Sequence, residues 1–144
     1  MKVRVIWIGK TKDPNLAKLA SDFTARIRRF LPLEITELKD SRTEDKKILG
    51  ALDASDRVVI LDERGATWSS AQLAAFVGKH MNKDPRRLTF VIGGHAGLAE
   101  SVKQRADQAW SLSPLTFTHD MTRVLLLEQI YRALTIINNH PYPR

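Results

Sequence analysis

Apolar positions along the chain switch repeatedly between a period of two and a period near 3.6. Lys2–Ile8 (KVRVIWI) is β-branched and apolar, which predicts a strand. Asp13-Pro14 then marks a helix start, with Asp13 as N-cap and Pro14 in the first helical position. Leu16, Leu19, Phe23, Ile27 and Phe30 follow at three- and four-residue spacing and make one apolar face. Lys18, Arg26, Arg28 and Arg29 lie largely off that stripe, and Pro32 closes the helix. Leu33–Leu38 alternates like a half-exposed strand, and Ser41 with Glu44 resembles a capping box before a short helix carrying Ile48, Leu49 and Leu52. Arg57–Leu61 is a continuous apolar run, as expected of a buried parallel strand, and Asp62–Trp68 reads as a loop. Ser69 and Gln72 offer another capping box, with Leu73, Phe76 and Val77 as the inner face of the next helix. Leu88–Ile92 is a second buried strand that runs directly into Gly93-Gly94-His95-Ala96-Gly97. A helix over Leu98–Asp107, a short strand over Ala109–Leu112 and a loop over Ser113–Thr118 complete the pattern.

The last element differs from the others. With Asp120 as its cap, a helix from Met121 to about Asn138 is apolar almost all round, through Val124, Leu125, Leu126, Leu127, Ile130, Tyr131, Leu134, Ile136 and Ile137. A helix covered on one side only shows a polar half. This one is therefore expected to pack on its own sheet and on a second subunit. The two prolines of His140-Pro141-Tyr142-Pro143-Arg144 end it. No repeat, low-complexity tract or linker interrupts the chain, so one domain over residues 1–144 is expected. Alternating strands and helices imply a mainly parallel sheet with helices on both faces. Ligands in such folds sit at the carboxyl ends of the strands, where Asp62–Gly65, Gly93–Gly97 and Leu112–Thr118 fall.

Composition narrows the chemistry. The 43% hydrophobic and 27% charged residues are ordinary for a folded domain. The absence of cysteine excludes disulfides, zinc-thiolate sites and a thiol nucleophile. The N-terminal run carries Arg4 and reads as a strand, not a signal peptide. No apolar stretch approaches the roughly 20 residues of a membrane helix. A cytoplasmic protein without a membrane partner is expected. The net charge of +7 is uneven: residues 1–50 hold twelve basic and seven acidic side chains, the remainder eleven and nine. Such a surface favours encounter with polyanions, with Lys10, Lys12, Arg26, Arg28 and Arg29 as candidate contacts.

The GGHAG loop is the clearest local signal, because glycines let a backbone approach a ligand closely. It is not G-x-G-x-x-G, and no Walker lysine follows. The first strand ends in Ile8-Gly9-Lys10, with a single glycine, which argues against an ordinary dinucleotide site. Glu128 and Arg132 stand four apart on the last helix. On a surface such a pair is worth about 0.2–0.5 kcal/mol, but charges on a largely buried helix are rare unless paired or functional. His80, His95, His119 and His140 are scattered in sequence, so no metal is expected.

LDERG (Leu61–Gly65), FVIGGHAG (Phe90–Gly97), WSLSPLTFTH (Trp110–His119), RVLLLEQIYRA (Arg123–Ala133) and the closing NHPYPR, in this order and spacing, resemble the RlmH-type (YbeA) members of the SPOUT methyltransferases over the whole chain. The resemblance implies a three-layer α/β/α sandwich with a C-terminal trefoil knot, which topology rules alone would exclude. It also implies a homodimer, S-adenosylmethionine as cofactor, and methylation of a ring nitrogen of pseudouridine in large-subunit (23S) ribosomal RNA of assembled ribosomes. By position it implies a cofactor pocket of Leu61, Gly93, Leu112, Ser113, Pro114, Leu115, Thr116 and Phe117. Glu128, Arg132, Tyr142 and the tail would belong to the catalytic and RNA-binding region. The family tail reads P-Y-H before a basic residue, and here Pro143 replaces that histidine. Proline moves no proton, so this departure and the basic N-terminal third also motivate a rival reading: a non-catalytic ribosome- or RNA-binding module that keeps the fold.

Overall fold

In the computed structural model, residues 1–143 are described; Arg144, the last residue of the expected RNA-facing tail, lies outside them. Strands and helices alternate as β1 (Val3–Ile8), α1 (Pro14–Ile27), β2 (Leu33–Leu38), α2 (Glu44–Ala51), β3 (Arg57–Thr67), α3 (Ser70–Lys83), β4 (Leu88–Val91), α4 (Glu100–Arg105), β5 (Gln108–Ser111) and α5 (His119–Ile137). The strands form one parallel sheet in the order β2-β1-β4-β3-β5. Side chains alternate across it with the period of two that a pleated strand imposes. Val3, Val5 and Trp7 of β1, Val59 of β3 and Leu88 and Phe90 of β4 point into the core shared with α1, α3 and α5. Ile6 and Ile8, Val58 and Ile60, and Val91 point to the opposite core, with Ile48 of α2 and Val102 of α4. The result is the expected α/β/α sandwich. β1 and β4, in the middle of the sheet, are buried along their whole length.

Local signals place most boundaries. Asp13 accepts the Asn15 and Leu16 amides at the start of α1, with Pro14 in the first turn. Ser69 and Gln72 form the reciprocal capping box of α3. The Ser41–Glu44 box does not form. α2 begins at Glu44 behind Thr43, and Ser41 Oγ instead accepts the Thr43 amide at 3.2 Å, leaving the Glu44 carboxylate free to face elsewhere.

Two longer corrections bear on function. β3 runs on through the expected Asp62–Trp68 loop to Thr67, with a register shift against β5 between Leu61 and Ala66. Gly65 permits this: a Cβ there would lie 2.6 Å from the Ala109 carbonyl carbon. The cap of α5 is Thr118, whose hydroxyl accepts the Met121 amide, and not Asp120. Asp120 reaches back to accept the amides of Lys12 and Asp13 at 3.0 and 2.9 Å. One turn on, Arg123 is 2% exposed. It donates to the Ile8 carbonyl at 2.6 Å and the Thr11 hydroxyl at 2.9 Å, with its guanidinium 4.9 Å from the Trp7 ring centre. α5 is thus anchored to the end of β1. Its apolar girth has an intramolecular explanation as well: α1 and α3 flank it on the sheet. Val124, Leu126 and Leu127 are buried within the chain, and Leu125 and Met121 are left partly or largely exposed.

Candidate active site

The second half of β3 and the loops at the carboxyl ends of β4 and β5 line a cavity of about 370 Å³, within the range of sites for small molecules and cofactors. Leu61, Gly93, Leu112, Ser113, Leu115, Thr116 and Phe117 line it, and Pro114 stands outside the lining in the same loop. Asp62, Glu63, Arg64, His95, Lys103, His119 and Thr122 line it too. Those in the LDERG, GGHAG and FTH segments belong to conspicuous motifs. Lys103 carries no sequence signal, because only the packing of α4 beside β3 brings it there.

Glycine is required at position 93 by close approach. A Cβ there would lie 2.9 Å from the Leu98 side chain and 3.2 Å from the Gly97 carbonyl carbon. The loop closes on itself through the Gly97 amide, which donates to the Gly94 carbonyl at 3.0 Å, with Gly97 at φ +76°. Across the cavity, Ser113 Oγ accepts the Leu115 amide, while its carbonyl accepts the Ser111 hydroxyl. Thr116 Oγ1 donates to Glu63 at 3.0 Å, joining the β5–α5 loop to the β3 segment. Apolar walls from Leu61, Ile92, Leu112 and Phe117 combine with backbone polar groups at the glycine loop, the mixture usual in small-molecule sites.

Electrostatically the cavity is mixed. His95 and His119, distant in sequence, meet with ring centres 4.6 Å apart. Burial pushes the His119 pKa below its ordinary value, helped by His95 and Arg123, so its imidazole is neutral at neutral pH. Among the described residues, no group of three or more His, Cys, Asp or Glu side chains is placed to hold a metal ion. No helix among them is long and apolar enough to cross a membrane.

The second set of candidate residues forms a separate cluster at the far half of α5. Glu128 Oε2 accepts from Arg132 at 2.9 Å and from the Tyr142 hydroxyl at 2.8 Å, and Oε1 accepts from Gln129 at 2.7 Å. Arg132 also donates to the Pro143 carbonyl at 2.7 Å, and its guanidinium lies 4.8 Å from the Tyr142 ring centre. Tyr142 meets Tyr131 edge to face at 4.8 Å. Burial, and then the Glu128 hydrogen bond and charge, raise the Tyr142 pKa, so the phenol stays a donor. The tail is therefore held on α5 by the Tyr142–Glu128 and Arg132–Pro143 hydrogen bonds and by the aromatic contact of Tyr142 with Tyr131. Arg26 extends the patch over Phe23 and Tyr131. Lys10, Lys12, Arg26, Arg28 and Arg29 are exposed, although Arg28 donates its Nε–H to the Leu33 carbonyl.

One chain does not bring the two sets together. His119 lines the cavity at the first turn of α5, whereas Arg132 lies thirteen residues along the helix, about 20 Å at 1.5 Å per residue.

The fold and glycine-loop cavity agree with the comparisons. A family model described as "Predicted SPOUT methyltransferase" matches residues 1–143, and the chain belongs to the SPOUT methyltransferase family. It is 45% identical to the ribosomal RNA large subunit methyltransferase H of Trichlorobacter lovleyi, over 99% of both chains. It is 43% identical to that of Geobacter metallireducens, over 99% of this chain and 98% of the relative. Among solved structures, a probable methylase family protein of Haemophilus influenzae aligns with TM-score 0.59 at 13% identity, over 95% of this chain and 66% of that one. The SpoU methyltransferase AviRb of Streptomyces viridochromogenes, solved in complex with AdoMet, aligns with TM-score 0.53 at 11% identity, over 90% of this chain and 56% of that one. At these identities the structural likeness concerns the fold.

Proposed function

We propose that this chain is an S-adenosylmethionine-dependent methyltransferase of large-subunit ribosomal RNA, acting on a ring nitrogen of pseudouridine in assembled ribosomes. The observation that carries the reading is the glycine-lined cavity at the ends of β3, β4 and β5 in a chain 45% identical, end to end, to a ribosomal RNA large subunit methyltransferase. Leu61, Gly93, Leu112, Ser113, Leu115, Thr116 and Phe117 would hold the cofactor, with Pro114 shaping the loop. The cofactor supplies an activated methyl group on sulfur. The protein's contribution is to align the attacking nitrogen with it and to favour loss of the ring proton. Arg132 suits the second task as a fixed positive charge beside developing negative charge. Glu128 accepts three donors already, which favours an orienting role over that of a base. Tyr142 positions the tail and remains a donor.

The reading includes a homodimer. Chemistry needs reacting atoms in contact, and the separation along α5 of about 20 Å supports completion of one chain's cavity by the Arg132–Tyr142 cluster of a second copy. The partly exposed Leu125 and Met121 offer apolar surface for that contact. It also includes the trefoil knot within one domain over residues 1–144. After β5 at the sheet edge the chain returns past Glu63 to lay α5 between α1 and α3, a path that supports threading. The reading places the protein in the cytoplasm, with ribosomes as its partner and exposed basic side chains of the N-terminal third adding electrostatic attraction to phosphates.

The test is methyl transfer from labelled cofactor to ribosomes lacking the modification, with the mass in solution measured by sedimentation. Transfer to large-subunit RNA and about twice the 16.3 kDa chain mass are expected. Cofactor and ribosome binding without transfer would leave the non-catalytic binding module as the correct reading.

A further inference from the structure

Glu44 stands outside the cavity lining yet touches the glycine loop from behind. Gly94 is buried, and its backbone needs no left-handed conformation. What demands glycine there is space: a Cβ at 94 would lie 2.6 Å from Glu44 Oε2 and 2.8 Å from Glu44 Cδ. The first turn of α2 is thus pressed against the peptide that follows Gly93 in the cavity wall. The failed capping box explains why the carboxylate is available, since α2 starts at Glu44 itself and Ser41 serves Thr43 instead. The charged groups around Glu44 are Asp40, from the loop between β2 and α2, and His95, from the glycine loop. Burial and Asp40 raise its pKa, while the Gly94 amide and His95 favour the carboxylate.

We propose that Glu44 is a positioning residue for the cofactor loop: by packing its carboxylate against Gly94 from behind, it holds Gly93–Gly97 in the shape that admits the cofactor. Two adjacent glycines have the widest backbone freedom of any pair, so an unrestrained Gly93–Gly94 peptide would rotate among many states, few of them able to bind. A side chain fixed at the head of a helix and packed against Gly94 removes that freedom before the ligand arrives. The inference rests on the function proposed above and adds a residue remote from the ligand.

Calorimetric titration of the full-length chain with S-adenosylhomocysteine tests it, with thermal melts to establish folding. Glu44→Ala removes the side chain packed on Gly94 and should raise Kd about tenfold or more, the scale of restoring the loop's lost freedom. Glu44→Gln keeps the size and shape of the side chain packed on Gly94 and should stay within about threefold of wild type. Asp45→Asn removes an equally placed first-turn acid and should leave Kd unchanged, which separates loop positioning from a general helix-dipole effect. Gly94→Ala expels the Glu44 carboxylate and should mimic Glu44→Ala, and the double variant should be no weaker than the weaker single. Folded Glu44→Ala binding as tightly as wild type, or strictly additive losses in the double variant, would overturn the inference. If Glu44→Ala does not fold, Glu44→Gln and Gly94→Ala carry the same test: equal loss in both would overturn it. Wild type that binds no S-adenosylhomocysteine would overturn the functional reading, and this inference with it.

Discussion

Glu128 is the side chain through which the tail is tied to α5, and Glu128→Ala should release it. The substitution removes the acceptor of Arg132, Tyr142 and Gln129 together. Hydrogen bonds to a charged acceptor are each worth about 1.5–3 kcal/mol when well shielded. The side chains of Glu128 and Arg132 are 16% and 21% exposed, so water replaces part of each bond and a total of about 2–3 kcal/mol is the reasonable sum. For a chain of this size that is a fall in Tm of roughly 6–9 °C. Trypsin should cleave after Arg132 more readily. Single-turnover methyl transfer should drop about 10²-fold, because a misplaced guanidinium no longer meets the developing charge. Cofactor affinity should fall far less than transfer, since neither Glu128, Arg132 nor Tyr142 lines the cavity. Glu128→Gln distinguishes the two roles open to this residue. An orienting Glu128 tolerates it, because an acceptor oxygen remains, whereas a general base does not. A Glu128→Ala protein with unaltered melting and transfer would refute the argument, and Glu128→Gln as inactive as Glu128→Ala would refute the orienting role.

Gly93→Val should abolish cofactor binding by forcing Leu98 and Gly97 apart; a folded variant with unchanged affinity in calorimetry would contradict the assigned cavity. Pro143→His, which restores the family tail, should raise turnover by a modest factor, inside the roughly 10²–10⁴-fold reach of general-base catalysis, and Arg132→Ala should be more damaging than wild-type Pro143; transfer seen only with Pro143→His would make the histidine essential. Asp56 is 1% exposed and accepts Arg87 at 2.7 and 3.0 Å. Burial would raise its pKa, but the Arg87 hydrogen bonds, the Asp53 amide and the Arg87 and Arg4 charges lower it further than burial raises it. A lowered carboxyl contributes stability that is present above the unfolded pKa of about 3.9 and is lost as pH falls through the folded value. Asp56→Asn should therefore cost about 3–5 kcal/mol near neutral pH and flatten the acid limb of a urea-unfolding series; an unchanged limb would contradict this.

Local chemistry in the chain determined the elements and the fold class. Asp13-Pro14, the Ser69–Gln72 box and the apolar runs at Val58–Ile60 and Leu88–Val91 each act within a few residues, so no distant contact was needed to read them. The motif order did the same for the family and for the loops that line the cavity. Where sequence reading failed, a distant partner decided the outcome. Pairing with β5 drew β3 through its expected loop, and the Lys12 and Asp13 amides took Asp120 away from capping duty. α1 and α3 flank α5 within the chain and account for part of its apolar girth, because the helix lies between them on the sheet. Periodicity records that a face is buried and does not record what buries it. The second half of β3, the loops after β4 and β5, Lys103 and the contact of Glu44 with Gly94 meet only because a parallel sheet places the ends of non-adjacent strands side by side, and the separation of Arg132 from the cavity follows from where α5 begins; both are properties of the packed chain and of no segment alone.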